Sequence, residues 1–327
     1  MNTVKFSVFG DLHFSAGMFW DQRGIQDDTA PPWFCGDCDE RLDFILNRAK
    51  KEEVDFVIHC GDFCHNPRAE RDAIEKYNNF EIPTYHVLGN HEAQIIPLEE
   101  VIDIYKMPSE YYYFDKNGFR FVAMNANYLC VDGEYIPYSE GNYGRLGGCR
   151  NYFSPKQLAW FEEVVMSSPY PVVVFGHADL SRDDEKTADA WKDREAFRDV
   201  IRKAHANKKR VLMYIGGHMH CDGLSVKEHV CYFNINSPTM FWMPAEHKFF
   251  PEEFHEKYTG AKNCLIYNDP VHAIVTLSED GTIDIEGMKS SFFCGVNHEM
   301  VMGSNCCNTV QIVPHVLSEK LWLPIEL

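Results

Sequence analysis

Val54-Asp55-Phe56-Val57-Ile58-His59-Cys60-Gly61-Asp62-Phe63 is the stretch on which the fold turns. A short run rich in Val, Ile and Phe, closed by a glycine, has the length and composition of a buried strand. Asp62 then stands at the mouth of a sheet, where open α/β folds place their chemistry. One Gly-Asp turn is weak evidence, because many strands end that way. Its weight comes from four other apolar runs that finish alike. Residues 4–9 lead to Gly10-Asp11-Leu12-His13, and 83–88 to Gly89-Asn90-His91-Glu92. Residues 171–175 lead to Gly176-His177, and 211–215 to Gly216-Gly217-His218-Met219-His220.

Helical segments fit between these runs. Residues 39–53 carry Leu42, Ile45, Leu46 and Ala49 on one face, a second helix follows Pro67 to about residue 80, and a charged one covers about 188–207. Ser154-Pro155 reads as an N-cap followed by proline at the first helical position, opening a helix through residue 165. The turn Lys116-Asn117-Gly118 joins strands at 111–114 and 119–125, and residues 127–153 read as a Tyr- and Gly-rich loop. Strands are expected at 230–235, 273–277 and 282–285, the last two turning at Glu279-Asp280-Gly281, with 244–269 aromatic and irregular. No repeat or low-complexity linker breaks the chain. The expectation is a core over residues 1–245 and a β-rich C-terminal extension over 246–327 within the same domain.

Composition narrows the function. The chain has 327 residues, of which 45% are hydrophobic and 24% charged, as in a soluble globular protein. It holds no apolar run of about 18 residues, so no membrane span is expected. Met1-Asn2-Thr3 runs straight into the first strand with no signal peptide, which points to the cytoplasm. Twelve cysteines in a chain this long without an export signal read as reduced thiols. Cys35-Gly36-Asp37-Cys38 has zinc-knuckle spacing but no second matching pair. A formal charge of −18 argues against gripping long nucleic acid through its phosphates. A small phosphorylated substrate still fits if bound divalent cations reverse the local field.

The five strand ends together carry Asp11, His13, Asp62, Asn90, His91, His177, His218 and His220. A lone histidine in such a turn is more often hydrogen-bonded than a ligand. Gly-His-Met-His is stronger, because residues two apart on an extended segment face the same way. Five such ends in one chain point to a metal centre.

These motifs, Asp11-x-His13, Gly61-Asp62, Gly89-Asn90-His91-Glu92, Gly176-His177 and Gly217-His218-x-His220, resemble those of the calcineurin-like metallophosphoesterase superfamily. The resemblance covers about residues 4–240, including the Gln157-Leu158-x-Trp160 helix. It implies an α/β (α+β) fold of two packed mixed β-sheets flanked by helices, a four-layer sandwich. It implies one metal held by Asp11, His13, Asp62 and His220, and a second by Asp62, Asn90, His177 and His218, with Asp62 shared. A mixed N/O set suits Mn, Fe or Zn better than Mg. The expected activity is hydrolysis of a small phosphodiester, nucleotide or phosphomonoester by attack of a metal-bridging hydroxide, with His91 protonating the leaving oxygen. A nuclease and a non-catalytic scaffold are the competing readings. The acidic charge weighs against the first, and the filled ligand positions weigh against the second.

One position departs from the pattern. Three residues after Asp62, where relatives carry tyrosine or aspartate, stands His65. It is assigned to the site, contacting phosphate or His91, against the plainer alternative of a helix-entry histidine bonded to backbone. Substrate contacts are expected from the loops between motifs, with Trp20, Trp33 and Tyr143, together with Phe34, Tyr135 and Tyr138, as a stacking wall and Arg145 or Arg150 as a second phosphate contact. The same aromatics equally suit burying the loops against the core.

Overall fold

The computed structural model describes residues 2–14, 37–147, 149–181, 193–243, 246–303 and 312–325. Near-continuous apolar runs, such as Val-Val-Val-Phe at 172–175, become strands buried on both faces. Thr3–Phe9, Phe56–His59 and Thr84–His86 lie parallel and form one side of a six-stranded sheet. Ala273–Ser278 pairs antiparallel with Thr3–Phe9, and Thr282–Gly287 and Glu319–Trp322 extend the sheet outward. A second six-stranded sheet is built from Tyr112–Lys116, Phe119–Ala123, Val172–Phe175, Val211–Gly216, Val230–Asn234 and Gly223–Lys227. It is parallel at its centre and antiparallel at both edges.

Phenyl rings join the two sheets. Phe6 stacks on Phe56 at 4.9 Å, and their partners across the interface, Phe121 and Phe175, meet them edge-on. Such pairs add about 0.5–1.5 kcal/mol beyond area burial. Helix Cys38–Lys51 covers the first sheet with the apolar face read from sequence, Leu42, Ile45, Leu46 and Ala49. Helices Pro155–Ser167 and Arg194–Ala206 cover the second, where Phe161 stacks on Phe197 and Phe197 meets Tyr214. The result is a helix–sheet–sheet–helix sandwich.

Differences from the sequence expectations have local causes. The helix placed after Pro67 begins at Arg71, because Asn66 Oδ1 accepts the backbone N–H groups of Arg68 and Ala69 and holds a turn there. The supposed loop at 127–153 contains a three-stranded sheet of Glu134–Pro137, Tyr128–Val131 and Cys149–Tyr152. Its hairpin turns at Asp132-Gly133, both residues at positive φ as a two-residue type I′ turn requires. Gly223–Lys227 escaped notice because its hairpin turns on Glu228 and His229, with φ of 51° and 63° and no glycine. Cys264–Ile266, inside the segment read as irregular, is a strand that pairs antiparallel with Met240–Trp242 just before that segment.

Candidate metal centre

Both sheets send chain to one place. The first supplies Asp11 and His13 after Thr3–Phe9, Asp62 after Phe56–His59, and Asn90 and His91 after Thr84–His86. The second supplies His177 after Val172–Phe175, and His218 and His220 after Val211–Gly216. The turns are tight. Asp11, His13, Asp62, His218 and His220 have φ of 56°, 51°, 52°, 71° and 48°, a left-handed conformation rare outside glycine. The surrounding structure imposes it. Asp11 N–H donates to Gly61 O at 2.9 Å, His13 N–H to Asp62 O at 2.9 Å and Phe14 N–H to Phe63 O at 2.7 Å, zipping the first two loops together. Gly89 is required by close approach, since a Cβ there would lie 2.1 Å from Asp62 Oδ1.

Among the described residues three groups of donors result: Asp11 with His13 and His220, Asp62 with His177 and His218, and His13 with His65 and His91. His220 Nε2 is 3.4 Å from Asp11 Oδ1 and 2.9 Å from His13 Nε2. His177 Nε2 is 3.1 Å from both Asp62 Oδ2 and His218 Nδ1. Asp62 Oδ2 also lies 3.9 Å from His13 Nε2, so this carboxylate faces the first two groups. Asn90 is half-buried in the adjoining turn. The backs of two rings are fixed: His177 Nδ1–H donates to Cys60 O and His220 Nδ1–H to Met240 O, each at 2.7 Å. Carbonyls only accept, so each ring turns its Nε2 inward, where the neutral form offers a lone pair. Buried imidazole lone pairs converging with two carboxylates form a donor set that fits transition-metal cations.

The electrostatics reflect the same crowding. Burial pushes the Asp11 carboxyl up to about 8, with the Asp62 charge adding to it and His177 opposing. Burial opposes ionisation of Asp62 too, but His177 and His91 outweigh it and hold that carboxyl well below the usual range. Burial lowers His177, yet Asp62 overrides it and raises the ring to about 10. Burial holds His13 well below the usual imidazole range and brings His220 and His65 down to about 3.

His91 N–H donates to Asp62 Oδ1 at 2.9 Å, and its Nε2 lies 3.9 Å from Asp62 Oδ2. His65 Nε2 is 3.0 Å from His13 Nδ1, and its ring meets that of His91 at 4.6 Å. Trp20, Trp33 and Phe34 lie outside the described residues, as does Cys35. Tyr143 stacks on Tyr138 at 3.6 Å and Arg145 donates to Glu140 O at 2.9 Å, contacts within their own loop.

Three supporting residues were not singled out from the sequence. Glu92 stood unassigned inside its motif; its buried carboxylate accepts Phe63 N–H at 2.6 Å and Gly89 N–H at 3.0 Å, tying the Asp62 and Asn90 loops together. Ser237 Oγ–H donates to Asp11 O at 2.7 Å. Trp242 Nε1–H donates to His220 Nε2 at 2.9 Å. No local pattern marks Ser237 or Trp242.

The family model for calcineurin-like phosphoesterases matches residues 4–222. A manganese-dependent ADP-ribose/CDP-alcohol diphosphatase of Oryza sativa subsp. japonica is 24% identical over 229 residues, 57% of this chain and 70% of that protein. Its Arabidopsis thaliana namesake is 26% identical over 214 residues, 53% of this chain and 67% of that protein. A dimetal phosphatase from Danio rerio superposes with a TM-score of 0.55 at 16% identity, covering 88% of this chain and 98% of its own, a likeness of fold.

Proposed function

Because the chain belongs to the calcineurin-like phosphoesterase family, we propose that it hydrolyses a small phosphorylated substrate with two divalent cations, and that a pyrophosphate-linked nucleotide is the class it takes. The observation that carries this is the meeting of Asp11, His13 and His220 with Asp62, His177 and His218 around one shared carboxylate. The substrate class is supported by what the rice and Arabidopsis relatives are named for. Manganese is the first cation to test on the same ground, with iron and zinc as the competing ions.

Asp11, His13, Asp62 and His220 would hold one cation, and Asp62, Asn90, His177 and His218 the other. When bound, such cations supply Lewis acidity toward phosphoryl oxygens and a water acidic enough to ionise near neutral pH. His91 is assigned the proton for the leaving oxygen. Burial lowers its basicity, while the Asp62 carboxylate favours the charged ring. The backbone bond to Asp62 Oδ1 ties His91 to the same carboxylate that the cations share. His65 is assigned to holding the His13 ring through Nδ1, and to limiting the swing of His91.

We place the catalytic unit over residues 1–245 and treat 246–327 as part of the same domain, since its strands continue the first sheet. Among the described residues no helix is long and apolar enough to cross a membrane, and eight cysteines are free thiols, which supports a reducing compartment such as the cytoplasm. The test is a metal-titrated assay on ADP-ribose, a CDP-alcohol, bis-p-nitrophenyl phosphate and p-nitrophenyl phosphate. Manganese-dependent cleavage of the first two, abolished by Asp62→Ala, is expected. No release with Mn, Fe, Zn or Co would overturn the reading in favour of a non-catalytic scaffold.

A further inference from the structure

Both ends of the His220 ring are held by one three-residue strand. Met240 O takes its Nδ1–H at 2.7 Å, and Trp242, two residues on, donates its indole N–H to Nε2 at 2.9 Å. Met240–Trp242 is itself fixed by pairing with Cys264–Ile266, Trp242 lying opposite Cys264. The indole also stands edge-on to His13, with ring centres 5.6 Å apart and planes at 85°. It therefore touches two of the residues assigned to one cation.

A neutral imidazole whose Nδ1 carries the proton has a single lone pair, on Nε2. One lone pair cannot serve both an N–H and a cation, so the indole bond and metal ligation at His220 are alternatives. An indole N–H only donates, and Trp242 is half-buried, so its ring borders both the centre and solvent. The acceptor such a donor meets beside an anion-binding centre is an anionic oxygen. We propose that Trp242 is a positioning residue with two exclusive partners, His220 Nε2 and a phosphoryl oxygen of the substrate, so that a cation on His220 redirects the indole N–H to the phosphate. This rests on the two-metal reading above.

Trp242→Phe keeps an aromatic ring and removes only the competing N–H. Manganese affinity measured by chelator competition is expected to rise about fivefold at one of two sites, the worth of one net hydrogen bond, while KM for the phosphoester rises as well. A residue that merely supports the fold would weaken metal and substrate binding together. A second measurement needs no variant. In the wild type labelled at its six indole nitrogens, one N–H resonance should shift when zinc is added and shift again with inorganic phosphate. Two manganese ions bound with unchanged or weaker affinity in Trp242→Phe, or six indole resonances indifferent to zinc in a zinc-loaded wild type, would overturn the proposal alone. A wild type that binds no cation would overturn both this and the two-metal reading.

Discussion

His91 shares its turn with the candidate ligand Asn90 and is itself assigned another role: its backbone N–H is fastened to Asp62 while its ring packs against those of His13 and His65. His91→Ala should therefore keep both cations, read by elemental analysis, and lose about 10²–10⁴-fold in kcat, the range for general acid catalysis. The loss should be greatest for alkyl esters, whose leaving oxygens most need a proton. Wild-type rates on such an ester would remove His91 from that role. The ligand candidates were legible because histidine and aspartate after a Gly-ended apolar run are unusual in combination. Their backbone state was not legible, since neither Asp11 nor His218 advertises a left-handed conformation as glycine does. Each such residue costs on the order of 1 kcal/mol. Trp242 was invisible for another reason: its partner His220 is 22 residues away, and only the pairing of a three-residue strand brings them together.

Among the elements, the loops matter more than the strands they follow. Glu92 joins the loop after Phe56–His59 to the loop after Thr84–His86 through two backbone N–H groups. Glu92→Ala leaves both buried and unpaired, at about 1–3 kcal/mol each, so the thermal midpoint should fall and manganese binding weaken with it. Unaltered stability in urea would show that the carboxylate bears no such load. Beneath the same loop, Gly61 N–H donates to His59 Nδ1 at 3.2 Å. His59 Nε2–H must then donate to His86 Nδ1, at 2.7 Å, and His86 Nε2–H to Asn78 Oδ1, at 2.6 Å. One backbone N–H thus sets the tautomer of two buried histidines. The strands were readable because parallel strands buried on both faces are continuous apolar runs. Glu228-His229 was not, because its turn uses residues with no turn signature.

At the scale of the molecule, the C-terminal strands complete the first sheet rather than decorate it. Ala273–Ser278 pairs along six residues of Thr3–Phe9. A chain ending at residue 245 should accordingly fail to fold cooperatively, and a soluble truncation with a sharp thermal transition would contradict this. Acid sensitivity should follow from buried histidines remote from the centre. Burial lowers His86 and His272 to about 3. Their unfolded value is near 6.5, so the unfolded chain binds the extra protons. Their contribution is full above about pH 6.5 and is lost as pH falls toward the folded values, at up to about 1.4 kcal/mol per pH unit for each. His272→Gln should reduce the slope of urea stability between pH 6.5 and 5 by an amount that grows from about half a proton to about one proton, and an unchanged slope would exclude it. One architectural point reaches further. Asp11, His13, Asp62 and Asn90 hang from one sheet and His177, His218 and His220 from the other, so a cation pair held by these seven proposed ligands would act as a rivet through two plates. Anything bound only by the assembled plates adds its binding energy to their cohesion. Starving a cell of the ion would then loosen the whole sandwich and hand it to proteases, so the amount of this protein would track the supply of its metal.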